Sequence, residues 1–230
     1  MKVAFKDDQI FRVLGSAVIV APNVAIAARH VLDPEIDGLM DGTCAGYLFG
    51  IAAHGLNIWR PHQLIQVPDT DLMIVSMHRA SEIPPQRVMP QAEISLRPPE
   101  PGEPILIAGF RAAAQVFGLE DIAGRNGIEG NVYLSIGLVT DVFPVRRDRN
   151  LNWPCFAVNV DTSGGMSGGP AFNCDGRLIG VLCSSFETQD GGGPSYVSMI
   201  HPALTVPFEF PLVRRTGSLL DYEACFEFEI

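Results

Sequence analysis

The chain has 230 residues, 47% of them apolar and 18% charged, which is enough to bury one sizeable core or two small ones and excludes intrinsic disorder. Twenty-six acids against 16 bases give a net charge of −10, which removes the electrostatic attraction that binding to nucleic acid or an anionic membrane needs. The 23 glycines and 18 prolines punctuate the chain with turns, a composition that suits many short strands better than a helical bundle.

Taken in chain order, residues 14–20 and 24–28 are apolar runs separated by Ala21-Pro22-Asn23, a hairpin signal. The uncharged stretch 13–28 also carries Ala25-Ile26-Ala27, the small-x-small form of a signal-peptidase site. Asp7 and Asp8 dilute the positive leader that secretion requires, and Pro22-Asn23 places a turn inside the apolar helix, so the stretch reads as strands. It is also too short and too broken to span a bilayer. Further strands are predicted at 45–51, 57–67, 71–77, 103–110, 132–142, 155–161, 177–184 and 195–201, with Gly, Pro, Asn and Asp in the gaps. Residues 112–130 read as a long surface loop and 218–226 as one short helix.

Seven prolines between Ser81 and Pro104 mark a crossing between two strand-rich halves, because proline cannot sit in central strands. The expected organisation is a first half at 1–85, a linker at 86–102 and a second half at 103–230, an all-β pair of barrels or sandwiches. The five cysteines are odd in number and form no CxxC, which signals neither a disulfide framework nor a thiolate zinc site; a reducing, cytoplasmic setting is expected. His54, His62, His78 and His201 are scattered without metal-ligand spacing, so no metal or other cofactor is expected.

The most informative stretch is Asp161-Thr162-Ser163-Gly164-Gly165-Met166-Ser167-Gly168-Gly169-Pro170. A serine hydroxyl is a weak nucleophile, and acyl transfer needs it held in a tight glycine-flanked turn whose N–H groups face the developing oxyanion. Gly165 and Ser167 can supply those donors. The string also fits the G-x-S-x-G elbow of α/β-hydrolases, but Gly168-Gly169-Pro170 is a poor helix start and 177–184 reads as a strand.

Here the sequence resembles the chymotrypsin/trypsin-like serine peptidases, whose nucleophile motif is G-x-S-G-G-P. Ala27-Ala28-Arg29-His30-Val31 is similar to the family's T-A-x-H-[CV] motif, with Ala27 in place of threonine, and Asp71-Leu72-Met73-Ile74-Val75 is similar to its aspartate-led strand. The order His, Asp, Ser is that of chymotrypsin. The resemblance implies two six-stranded antiparallel Greek-key β-barrels, one carrying His30 and Asp71 and the other Ser167. It implies Ser167 as nucleophile, His30 as general base and acid, and Asp71 as the group that orients His30. Asp69 competes with Asp71, since both lie on one face of an extended segment; Asp71 fits the motif register.

By the same resemblance the specificity pocket is walled by 161–163, 183–186 and 196–198, with Asp161, Thr162, Ser184 and Ser185 as substrate-binding residues. Asp161 stands where trypsin-type enzymes bind Lys or Arg, whereas Asp161-Thr162 also resembles glutamyl-specific relatives; the preferred residue stays open. Met166 replaces the aspartate that pairs with a freed N-terminus on zymogen cleavage, and no cysteine closes a loop around His30. Both features resemble the bacterial, HtrA-like branch, though the chain ends too soon for a PDZ domain. The expected partners are protein or peptide substrates and an activating protein or a second copy that orders residues 164–167.

Overall fold

The computed structural model of the protein describes residues 2–7, 10–52, 55–80, 91–111, 117–118, 131–185, 193–210 and 215–221. Strands β1 (Lys2–Asp7), β2 (Ile10–Ala21), β3 (Val24–Ala28), β4 (Ala45–Ala52), β5 (Gly55–Gln66) and β6 (Leu72–Arg79) pair in the order β1-β4-β5-β6-β3-β2, and β1 pairs with β2 to close the ring. Pro22 and Asn23 make the predicted β2–β3 hairpin, with Asn23 at φ 60 in the position of a tight turn that tolerates a left-handed backbone.

The second half supplies β7 (Pro104–Phe110), β8 (Phe117–Gly118), β9 (Val132–Phe143), β10 (Cys155–Asn159), β11 (Pro170–Phe172), β12 (Leu178–Ser185) and β13 (Ser195–Met199). All of these but β8 close a second barrel in the order β10-β13-β12-β11-β7-β9. The two-residue β8 pairs instead with β2, so the second half adds a short strand to the first sheet. A hairpin of β14 (Phe208–Phe210) and β15 (Arg215–Gly217) follows. The fold is the expected all-β double barrel.

Burial explains why the β3 and β6 segments read as continuous apolar runs rather than alternating ones. Ala25, Ala27, Met73, Val75 and Met77 point into the first barrel with Leu48 and Trp59. Val24, Ile26, Leu72 and Ile74, on the opposite faces, pack with Leu178, Val181, Ile200 and Leu204 along the seam between the halves. Both faces are buried, and the one polar residue within the run, Ser76, donates to Glu209 O (3.3 Å). The second barrel encloses Ile105, Ile107, Val139, Phe156, Val158, Leu182 and Val197. On β9 the outward positions Val132, Leu134, Ile136 and Leu138 are apolar yet exposed.

Of the proline-rich crossing, 81–90 lie outside the described residues, and the rest is stitched to both halves. Ala92 N donates to Ile19 O (2.9 Å), Leu178 N to Glu93 O (2.7 Å) and Ser95 N to Leu178 O (2.9 Å), while Ile94 is buried in the seam. Most of the expected loop at 112–130 lies outside the described residues as well.

Short helical pieces that periodicity did not signal follow β3: α1 (Arg29–Leu32), a 3-10 turn at Asp33–Glu35 and α2 (Ile36–Asp41). Pro34 suits the start of the 3-10 turn, and Gly42, at φ 77, ends α2 in the left-handed conformation. Of the helix expected at 218–226, the described part is a 3-10 turn at Leu219–Asp221, closed by the Asp221 carboxylate accepting from Ser218 N and Oγ; residues 222–226 lie outside the described residues.

Candidate active site

The junction of β3 and α1 puts His30 beside the start of β6. Strand pairing sets Ala28 opposite Leu72, so the next residues of one strand meet the preceding residue of the other. Arg29 N donates to Asp71 O (2.9 Å) and His30 N to Asp71 Oδ1 (2.9 Å), and His30 Nδ1 lies 2.7 Å from Asp71 Oδ2. One carboxylate thus holds both the backbone and the ring of His30. Asp71 accepts at Nδ1, which assigns the ring proton to that nitrogen and leaves Nε2 as the basic lone pair.

The turn before β6 decides between the two aspartates. Thr70 Oγ1 donates to Val67 O (2.9 Å) and accepts from Leu72 N (3.1 Å), and Asp69 occupies a left-handed position at φ 53. Asp69 is exposed on this turn, whereas Asp71 is 7% exposed and faces His30. Burial by itself would lower the His30 pKa; the hydrogen bond and charge of Asp71, with a smaller contribution from Asp33, outweigh it and raise the pKa above the usual 6.5.

Ser167 arrives from the second half on a loop welded to β2 and β12. Ser16 N donates to Ser167 O (2.8 Å), Gly168 N to Leu182 O (2.8 Å) and Gly169 N to Met166 O (2.9 Å). Gly168 has φ 84, and a Cβ there would collide with the Ser16 carbonyl and stand 3.1 Å from Ala28 N, two residues before His30. A Cβ on Gly15 would sit 2.8 Å from both Ser167 O and Val31 Cγ1. The Ser167 loop and the His30 segment therefore flank the same two residues of β2. Among the described residues Ser167 Oγ makes no hydrogen bond.

Residues 163–166 form a turn closed by Met166 N donating to Ser163 O (3.1 Å), with Gly165 at φ 90 in its third position. With no positive φ at Gly164, that value fits a type II turn, which glycine adopts without strain. Among the described residues the N–H groups of Gly165 and Ser167 have no acceptor, so both predicted oxyanion donors are free. Met166 is fully buried in the second barrel, and a Cβ on Gly109 would stand 3.0 Å from its Cα. An apolar plug anchors the loop where zymogen-type enzymes use an ion pair.

The predicted specificity residues are distributed differently. Asp161 is exposed rather than sunk at the base of an apolar pocket, so it lacks the desolvation that would sharpen cation binding. Thr162 Oγ1 lies 2.7 Å from Ser195 Oγ, whose own position is fixed by Val160 O at 3.2 Å. Ser184 is half-buried opposite Tyr196, Ser185 pairs through its backbone with Ser195, and residue 186 lies outside the described residues. Tyr196 is buried with Leu151, Cys155 and Cys183, and the Arg147 guanidinium sits 4.6 Å from its ring centroid. Cys183 is a buried thiol whose pKa burial pushes up to about 12. Ser16, whose contacts tie the halves together, was not legible as a site residue.

Two closed barrels, a carboxylate-held histidine and a serine on a glycine-built turn with two free N–H groups define a peptidase of the chymotrypsin fold class. The sequence profile of the trypsin-like peptidase domain matches residues 15–181, and the chain belongs to that family. No curated protein sequence matches it significantly. Among solved structures the chain is similar to Deg5 (15% identity, TM-score 0.61, covering 93% of this chain and 90% of that one). It is also similar to the active form of the Rv3671c protease from M. tuberculosis (14% identity, TM-score 0.56, covering 88% and 76%). A third is the HtrA-type protease AlgW with a decapeptide (19% identity, TM-score 0.54, covering 87% and 60%).

Proposed function

We propose that the protein is a serine endopeptidase that cuts protein or peptide substrates through an acyl-enzyme on Ser167. The observation that carries this reading is the double grip of Asp71 on His30, which has no structural necessity on an exposed helix start and leaves Nε2 free to take a proton. In the reaction Ser167 Oγ attacks the scissile carbonyl carbon while its proton passes to His30 Nε2. The oxyanion forms against the Gly165 and Ser167 N–H groups. Collapse breaks the C–N bond as His30 returns the proton to the leaving amine. Water then attacks the acyl-enzyme, again through His30, and restores the Ser167 hydroxyl.

Buried Met166, standing where zymogen-type enzymes carry the aspartate that pairs with a freed N-terminus, supports activation by a substrate, a partner or a second copy that orders residues 164–167. The odd count of five cysteines with no CxxC spacing supports work in a reducing compartment such as the cytoplasm. The test is incubation with a proteome-derived peptide library, mapping cut sites by mass spectrometry beside Ser167→Ala. Cuts sharing a sequence preference, absent with Ser167→Ala, support the reading; identical profiles for both proteins contradict it.

A further inference from the structure

Ser16 is completely buried on β2, in the first barrel, yet its bonds run to the second. Phe110 N, at the end of β7, donates to Ser16 Oγ (2.8 Å), and Ser16 Oγ lies 2.9 Å from Gly165 O. The hydrogen assignment is unambiguous. An N–H can only donate and a carbonyl can only accept, so the hydroxyl takes its bond from Phe110 and gives its proton to Gly165 O. The backbone of the same residue donates to Ser167 O at 2.8 Å, and its carbonyl fills the place where a Gly168 side chain would be.

These contacts bracket the oxyanion hole. Only the Gly165–Met166 and Met166–Ser167 peptide links separate the two N–H donors; Ser16 Oγ holds the carbonyl inside that span and Ser16 N the carbonyl just beyond it. The same Gly165–Met166 peptide is held at its N–H end by Ser163 O (3.1 Å). We infer that Ser16 is a positioning residue for catalysis, whose buried hydroxyl fixes the spacing and direction of the Gly165 and Ser167 donors through the Gly165 carbonyl. This rests on the serine-peptidase reading. Preorganised donors act on the transition state more than on bound substrate, so loosening them lowers kcat and leaves KM in place.

The experiment compares wild type, Ser16→Ala and Ser16→Cys on a peptide found from the library. Ser16→Cys exchanges only oxygen for the larger sulfur and keeps a weak donor and acceptor at the same place, so it remains informative where Ser16→Ala, which strands the Phe110 N–H, fails to fold. The expected result is a fall in kcat of about 10- to 100-fold with KM within about twofold, and an equal loss of affinity for a peptidyl boronic acid that mimics the tetrahedral intermediate. Product-peptide affinity stays unchanged. Folded variants with wild-type kcat and boronate affinity, or with a loss confined to KM, overturn the role of Ser16. Wild type that neither cuts the library nor binds the boronate overturns the peptidase reading, and this inference with it.

Discussion

Asp71 receives two hydrogen bonds from a single residue, one from the His30 ring at 2.7 Å and one from the His30 backbone N–H at 2.9 Å. The backbone bond places the histidine and the ring bond sets its tautomer, so one buried carboxylate prepares both the position and the basicity of the proton acceptor in the proposed mechanism.

Replacing the carboxylate by an amide keeps the shape and removes that preparation. Asp71→Asn should fold and bind peptide but lose kcat by roughly 10⁴-fold, because the amide can satisfy the wrong ring tautomer. Steady-state kinetics beside thermal unfolding separates this from a folding defect.

The raised His30 pKa fixes the direction of two pH dependences. Activity requires neutral His30, so kcat/KM should rise with pH through a midpoint above the usual 6.5. In Asp71→Asn that midpoint should move to lower pH, since burial then acts without the opposing carboxylate. Stability runs the other way: the contribution from protonated His30 is complete below its unfolded pKa and is lost as pH rises through the folded one. Denaturant midpoints across pH 5–9 for wild type and Asp71→Asn test this.

Gly168→Ala combines a left-handed backbone with a collision against the Ser16 carbonyl. The expected outcome is a loss of several kcal/mol of stability, or a displaced nucleophile loop with activity near background. Urea unfolding together with peptide cleavage distinguishes the two forms of damage.

Thiol chemistry should follow burial. Cys174 is exposed, whereas Cys155 and Cys183 are buried with pKa values pushed up by burial to about 11 and about 12. Iodoacetamide at pH 7.5 should modify Cys174 well before either buried thiol, which should react only on unfolding; peptide mapping reads the order directly.

The barrels and the triad candidates were legible because each rests on local sequence. Alternation and turn residues mark strands, and the nucleophile turn needs its glycines at adjacent positions. The helical pieces at Arg29–Asp41 were not, since they are too short to display a 3.6-residue period. Motif register already favoured Asp71 over Asp69, and the turn at 67–70 gives the physical reason: its Thr70 contacts leave Asp71 facing His30 and Asp69 exposed. Ser16 was hidden for a different reason: its partner Gly165 is 149 residues away, and a serine inside an apolar strand carries no local sign of that contact. The specificity walls were blurred by a register shift between Leu182 and Ser184, which upsets the simple alternation that would predict the environment of Cys183.

Covalent labelling with a phosphonofluoridate, the adduct located by peptide mass spectrometry, tests Ser167 as nucleophile most directly. One adduct is expected, on Ser167, forming faster as pH rises through the His30 midpoint, sharply slowed in His30→Ala and absent in Ser167→Ala. An unmodified Ser167 in folded protein, tested with and without added substrate peptide, would contradict it.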